Sequence, residues 1–157
     1  MIQRIQSLYL FAAAIMISML LFFPVADFWG DISYQFSAMG FHDISPESES
    51  PFNAMFSLPL LVFTICLTLL PLLTILLYKN RKKQLLLIRL TLGLMIALLV
   101  LVFFYYIPTI ENEINLTADY ISAFGMFFPL MALIFIVLAQ KGVIKDEKMI
   151  KSMDRLR

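Results

Sequence analysis

His42, Asp43, Glu47 and Glu49 place four nitrogen and oxygen donors within eight residues, the one stretch of this 157-residue chain with the character of a metal loop. A calcium loop alternates its ligands and turns on a glycine; "HDISPESE" does neither. A zinc site needs more than one imidazole or thiolate in reach, and His42 is the sole histidine. The stretch therefore reads as a solvated acidic loop, with no metal expected. Cys66 is the only cysteine and lies inside an apolar run. It can form no intramolecular disulfide, and a thiol relay needs a second sulfur to pass electrons to. Asn115-Leu116-Thr117 fits a glycosylation sequon close to the start of another apolar run. There is no glycine-rich phosphate loop, and "KNRKK", residues 79–83, is too short to be a nucleic-acid signature. No cofactor and no nucleic acid are expected, and no convergent nucleophile, base and metal set indicates an enzyme.

Charge remains as the second kind of chemistry, and it gathers at the chain ends. In "KDEKMIKSMDRLR", residues 145–157, a helix would put Met149, Ile150, Met153 and Leu156 on one stripe. Asp146 is then the expected N-cap, with Glu147 in the first turn and four residues before Lys151, and Arg155 and Arg157 at the end the dipole favours for cations. The tail is thus expected to be a short amphipathic helix that leaves the membrane after Lys141-Gly142. Three surfaces are open to its stripe: the lipid headgroups, the protein's own inner face near Arg4 and "KNRKK", or another protein. Arg89 is the remaining charge of interest, about a turn and a half inside an apolar run. Its stem can snorkel to phosphates, or it can pair with Asp146 or Glu147.

These residues need elements to hold them, and the composition says which. Hydrophobic residues make up 61% of the chain and charged ones 15%. The apolar residues come in blocks rather than spread through one core. A hydrocarbon layer of about 30 Å takes roughly 20 helical residues to cross. Four segments meet that length, at about 7–24 with its flanking residues, 54–78, 85–107 and 120–139. The first runs to Phe22, Phe23 and Pro24, a poor cleavage site, so it reads as a retained span rather than a removed leader. The outer connections, 25–53 and 108–119, carry eight acids and no Lys or Arg, whereas all 12 basic residues lie before span one, between spans two and three, in span three near Arg89, or in the tail, 140–157. Positive residues stay cytoplasmic. The fold class expected is an all-α integral membrane protein, a single-domain four-transmembrane-helix bundle over 1–157 with both termini inside.

One outer connection carries its own pattern. Ile32, Tyr34, Phe36 and Ala38 alternate with Ser33, Gln35 and Ser37, the period of a strand. A lone strand is not stable. Its partner can be a returning strand near Phe41–Ile44, part of "ENEINLT" (111–117), or a neighbouring subunit. A small, partly β outer subdomain over about 28–44 follows. Phe28, Trp29 and Tyr34 are expected as an aromatic belt at the interface. Pro71 should kink span two unless a neighbour or Thr68 satisfies the carbonyl it frees, and Gly125 with Pro129 should bend span four. Ala14 with Ser18, Thr64 with Thr68, and Gly93 with Ala97 are candidate helix-contact pairs. No span carries an ionisable group near its centre, which removes the embedded carboxylate a proton-coupled exporter needs and the Asp pair, Ser–His pair or zinc cluster of an intramembrane protease.

The opening "MIQRIQSLYL" joined to four apolar spans and a closing "DEKMIKSMDRLR" resembles, end to end, a bacterial family of small inner-membrane proteins known only as a domain of unknown function, family forty-two ninety-three. The matching residues are Ile2, Gln3, Arg4, Gln6 and Tyr9, then Asp146, Glu147, Ser152, Asp154, Arg155, Leu156 and Arg157. The resemblance implies a bacterial cytoplasmic membrane and brings no activity with it. It draws both inner ends together: Arg4 and Gln6 are expected to meet Asp154 and Ser152. Arg4, Trp29, Arg89, Asp146, Glu147, Asp154, Arg155 and Arg157 are the candidate contacts to lipid or protein. The plan of four spans with a larger first outer loop is also that of claudin-like proteins, a likeness of topology alone. The leading expectation is a non-enzymatic accessory or scaffold subunit of a membrane complex. It is expected to touch membrane lipids, and a protein partner through tail or outer loop or its own copies. The alternative is a small transport or lipid-handling protein with a cavity between spans two, three and four, lined by Thr64, Thr68, Thr91 and Ser122.

Overall fold

The structure is a computed structural model describing residues 3–29, 33–43, 52–78, 80–119 and 123–154, without the side chains of Gln3, Arg4, Asp43, Ala54, Ile150, Lys151, Met153 and Asp154. It is mostly helical, with a small antiparallel sheet at one end. Helix α1 covers Gln3–Met19, and turn hydrogen bonds from Leu20 N to Ile17 O and from Phe23 N to Met19 O carry the coil on to Pro24. Helix α2 is Ala54–Leu76. Helix α3, Arg81–Leu101, passes through a π-helical turn, Val102–Tyr106, into α4, Ile107–Ile114. Helix α5 is Phe127–Asp154, entered through a 3-10 turn at Phe124–Met126. Among the described residues, three segments are long and apolar enough to cross a membrane: Met55–Leu76, Arg81–Ile114 and Phe124–Met149; Ile5–Met19 is a shorter apolar helix. Helix α1 packs on α5 and α2, and α3 packs on the same two neighbours.

Their cores follow from spacing. Gln6, Leu10, Ala13 and Ile17 recur at three and four residues along α1, as do Ala132, Ile136, Ala139, Val143 and Asp146 along α5, and every one is buried. This is the stripe an α-helix turns toward a neighbour. Each stripe ends in a polar side chain at the same end of the molecule. Helix α2 continues through Pro59 and Pro71. Thr68 donates to Thr64 O, so it is not the group that takes up the Leu67 carbonyl that Pro71 leaves free.

The sheet has the order β3-β2-β1-β4, with β1 at Ala26–Phe28, β2 at Tyr34–Ser37, β3 at Gly40–Asp43 and β4 at Ala118–Asp119. The expected strand thus pairs with a returning strand on one side. On the other side lies β1, a strand the sequence pattern did not announce, and β1 then pairs with β4 from the second connection. Helix α4 already occupies most of "ENEINLT", so β4 starts just beyond it. Asn115 ends α4 with φ 54°, a left-handed conformation that Asn tolerates better than most side chains. Glu111 then accepts from the Ala118 backbone N–H at 2.9 Å, tying β4 to the helix.

Register divides the sheet into two faces. Opposed residues share a face. Ala26, Phe36 and Phe41 align, as do Phe28 and Tyr34, while His42, Gln35, Asp27 and Asp119 form a row on the other face. The aromatic face seats on the helices: Phe36 and Tyr106 ring centres are 5.4 Å apart, Phe56 and Tyr106 5.1 Å. Tyr106 also donates to Phe56 O at 3.2 Å. The π turn, closed by Ile107 N–H to Val102 O, turns Tyr106 and Ile107 inward and leaves Phe103, Phe104 and Tyr105 outside. Phe28 and Tyr34 are therefore core residues, not the interfacial belt the sequence suggested; Trp29 alone of that group is exposed, at 55%. Gly125 makes a close approach in place of the expected bend. Its N–H donates to Pro24 O at 2.8 Å, and any Cβ there would collide with that carbonyl.

Candidate functional site

At the end of the molecule opposite the sheet, three polar side chains from distant parts of the sequence converge. Asp146 on α5, 6% exposed, accepts at Oδ2 from Gln6 Nε2 on α1 at 2.6 Å. The same oxygen meets Arg81 Nη1, from the first turn of α3, at 3.3 Å. Arg81 Nη1 also reaches Gln6 Oε1 at 3.3 Å. Local sequence prepares each arm. Asn80 caps α3, its side chain accepting from the Lys83 N–H, and so fixes where Arg81 starts. Gly142, one turn before Asp146, leaves room for Gln6: a Cβ at that position would stand 2.8 Å from Gln6 Cγ. A guanidinium against a carboxylate, with an amide bridging both, is a charge-compensated clamp. Asp146 Oδ1 and Gln84 Oε1 are buried and find no hydrogen-bond partner among the described residues. Gln84 lies one turn beyond Arg81 on α3, so the polar layer extends inward from the clamp.

The clamp overturns three local expectations. Asp146 is no N-cap, because α5 runs unbroken through Gly142 and Asp146 to Asp154; the tail is a continuation of the same helix. Gln6 reaches Asp146 rather than Ser152, whose hydroxyl donates to Met149 O in its own helix. The partner of Asp146 is Arg81, not Arg89. Among the other candidate contacts, Arg89 is exposed and Glu147 half-buried. Arg4 begins α1 and Asp154 ends α5, both with side chains outside the described residues, as are Arg155 and Arg157 altogether. The sequence reading passed over Arg81 as one member of a basic run. The missed signal was periodicity: Asp146 and Gln6 each extend a buried apolar stripe by one more step, a place where a polar residue needs a partner.

Elsewhere the polar groups turn inward on their own helices. Thr64 donates to Leu60 O and Thr91 to Leu87 O, and both are buried; Ser122 lies outside the described residues. A small, partly open cavity of about 10 Å³ lies among Leu60, Thr64, Leu98, Val102 and Pro129. A larger apolar groove of about 580 Å³, open to the side, runs between α2 and the neighbouring helix past Pro59, Phe63, Cys66 and Leu101. At the sheet, Asp27 is buried and accepts from Gln35 Nε2 at 3.0 Å.

Comparison with curated proteins gives no match. The sequence resemblance is sustained over the whole length: the family model of a domain of unknown function, DUF4293, matches residues 2–156, and the chain belongs to that family.

Proposed function

We propose that the chain is a non-enzymatic accessory or scaffold subunit of a membrane complex, a four-span bundle in the bacterial cytoplasmic membrane with both termini inside. The observation that carries this reading is the unbroken α5. At about 1.5 Å per residue, a helix of 28 residues is about 42 Å long, more than a hydrocarbon layer of about 30 Å. Its last turns stand beyond the lipid with Met149 exposed, and the clamp at Asp146 holds their direction. A helix aimed by a buried ion pair offers a partner a preorganised surface, so little ordering entropy opposes docking. The inward side is assigned from charge: Lys82, Lys83, Lys141, Lys145 and Lys148 surround that end, whereas Asp27, Glu111, Glu113 and Asp119 lie at the sheet end.

Two experiments test the reading. In a Cys66→Ser background, His42→Cys should label from outside intact cells and Ser152→Cys only after permeabilisation; the reverse pattern would invert the topology. For the partner, a photocrosslinker replacing Met149 is used in native membranes, beside a chain truncated after Lys148, which keeps the clamp. A single crosslinked protein that the full chain also co-purifies, and the truncated chain does not, is the expected result. Identical co-purification by both chains would defeat the scaffold role of α5.

A further inference from the structure

Six cationic side chains near the clamp end, those of Lys82, Lys83, Arg89, Lys141, Lys145 and Lys148, are exposed. Most sit where any inward-facing end would carry charge. Arg89 does not. It lies eight residues beyond Arg81, about 12 Å along α3, at a depth where the neighbouring exposed side chains are Leu86 and Leu90. A charge left there unsupported in hydrocarbon is costly.

Its surroundings identify what meets it. Helices α3 and α5 pack together, and they run antiparallel: the start of α3 touches the end of α5 at the Arg81–Asp146 pair, while Leu98 and Val102 share a cavity lining with Met126 and Pro129. Lys141 lies five residues back from Asp146, about 7.5 Å along α5 in the direction that Arg89 takes along α3. The two cations therefore stand within about one helical turn of each other in depth. Lys141, Lys145 and Lys148 follow one another at four and three residues, one outward stripe on α5. One turn deeper than Arg89, Gly93 has nothing within 4 Å of where a side chain would begin. At that depth Ile96 on α3 and Ile134 on α5 are exposed. Two cations thus stand above an exposed apolar surface.

We infer that the outer seam of α3 and α5 is a binding site for an anionic phospholipid, with the phosphate between Arg89 and Lys141 and an acyl chain lying past Gly93. Charge complementarity selects the occupant. The seam has two cations and no exposed acid among the described residues, and their long stems can carry the charges outward to a phosphate. A zwitterionic headgroup brings its own ammonium into the same space and gains less. The inference rests on the proposed orientation of the spans.

The test is native mass spectrometry of the full chain in nanodiscs that mix phosphatidylglycerol with phosphatidylcholine, counting the lipid that survives release. Wild type should retain one phosphatidylglycerol in preference to phosphatidylcholine. Arg89→Gln and Lys141→Gln should each weaken retention about five-fold, since one basic residue near an anionic surface contributes about that factor. Lys83→Gln, about 120° around α3 from Arg89, should change it less than two-fold. Equal losses for all three substitutions would mean a diffuse surface field and overturn the site, as would equal retention of both lipids. These side chains are exposed, so folding is not at stake, and unchanged thermal unfolding of the variants verifies it. Failure of the chain to enter nanodiscs at all would sink the membrane-spanning reading instead, which separates the two failures.

Discussion

At the residue scale, the Arg81–Asp146 salt bridge matters more than the many surface charges. Arg81 and Asp146 side chains are 16% and 7% exposed, so each has given up most of its hydration and depends on the other. Removing one member leaves a buried charge without compensation, at a typical cost of about 3–5 kcal/mol; replacing both by apolar groups of similar size is often nearly neutral. Residual exposure of Arg81 puts the expected loss for Arg81→Met near the lower end of that range. Asp146→Leu should cost as much, and the double variant Arg81→Met/Asp146→Leu should cost less than either single change. Thermal unfolding in mild detergent reads all three. A double variant as damaged as the sum of the singles would mean that the pair contributes through two unrelated contacts. Gln6 is the third member and explains Gly142, since any side chain at Gly142 would press on Gln6 Cγ. Periodicity made this much legible in principle: Asp146 sits where the α5 stripe calls for another Val143. It could not name Arg81, because which helix lies beside α5 is a tertiary fact.

At the element scale, sequence pattern located helices well and their ends poorly. The apolar blocks became α1, α2, the 81–114 helix and α5, since hydrophobic length is a long-range average that single residues do not disturb. The ends depended on chemistry that the pattern does not weigh. Lys, Glu, Met and Asp are good or tolerable helix residues, so α5 had no reason to stop at Gly142, and the polar tail was read as a separate element only because composition changed there. The π turn at Val102–Tyr106 had no sequence mark, and β1 was hidden because Ala26–Phe28 is too short to alternate. Continuity of α5 has a direct measurement. With Cys66→Ser, spin labels at Leu138→Cys and Ser152→Cys are separated by 14 helical residues, about 21 Å between backbones. Pulsed dipolar spectroscopy should give one narrow distance distribution consistent with that span. A broad or clearly shorter distribution would place a hinge at Gly142 and free the tail from the clamp.

At the scale of the whole molecule, the first and second halves are stitched together at both ends and in the middle. At the clamp, Gln6 and Asp146 are 140 residues apart in sequence. At the sheet end, Pro24 accepts from Gly125, and β1 pairs with β4. Between them, Phe36 and Phe56 pack on Tyr106, and α1 lies along α5. No half has a complete sheet, and neither has the clamp. Transmembrane helices form individually before they associate, and association draws on packing and interhelical hydrogen bonds. A cut between residues 79 and 80, in the turn joining α2 to α3, leaves every one of these seams available. Fragments 1–79 and 80–157 expressed together should therefore co-purify in mild detergent through an affinity tag on one of them. Asp146→Lys, which sets a cation against Arg81, should lower the yield of the pair without abolishing it, because the sheet-end seams remain. Independent purification of wild-type fragments would mean that each helical pair is self-sufficient, and that the clamp and the β1–β4 junction contribute little to holding the molecule together.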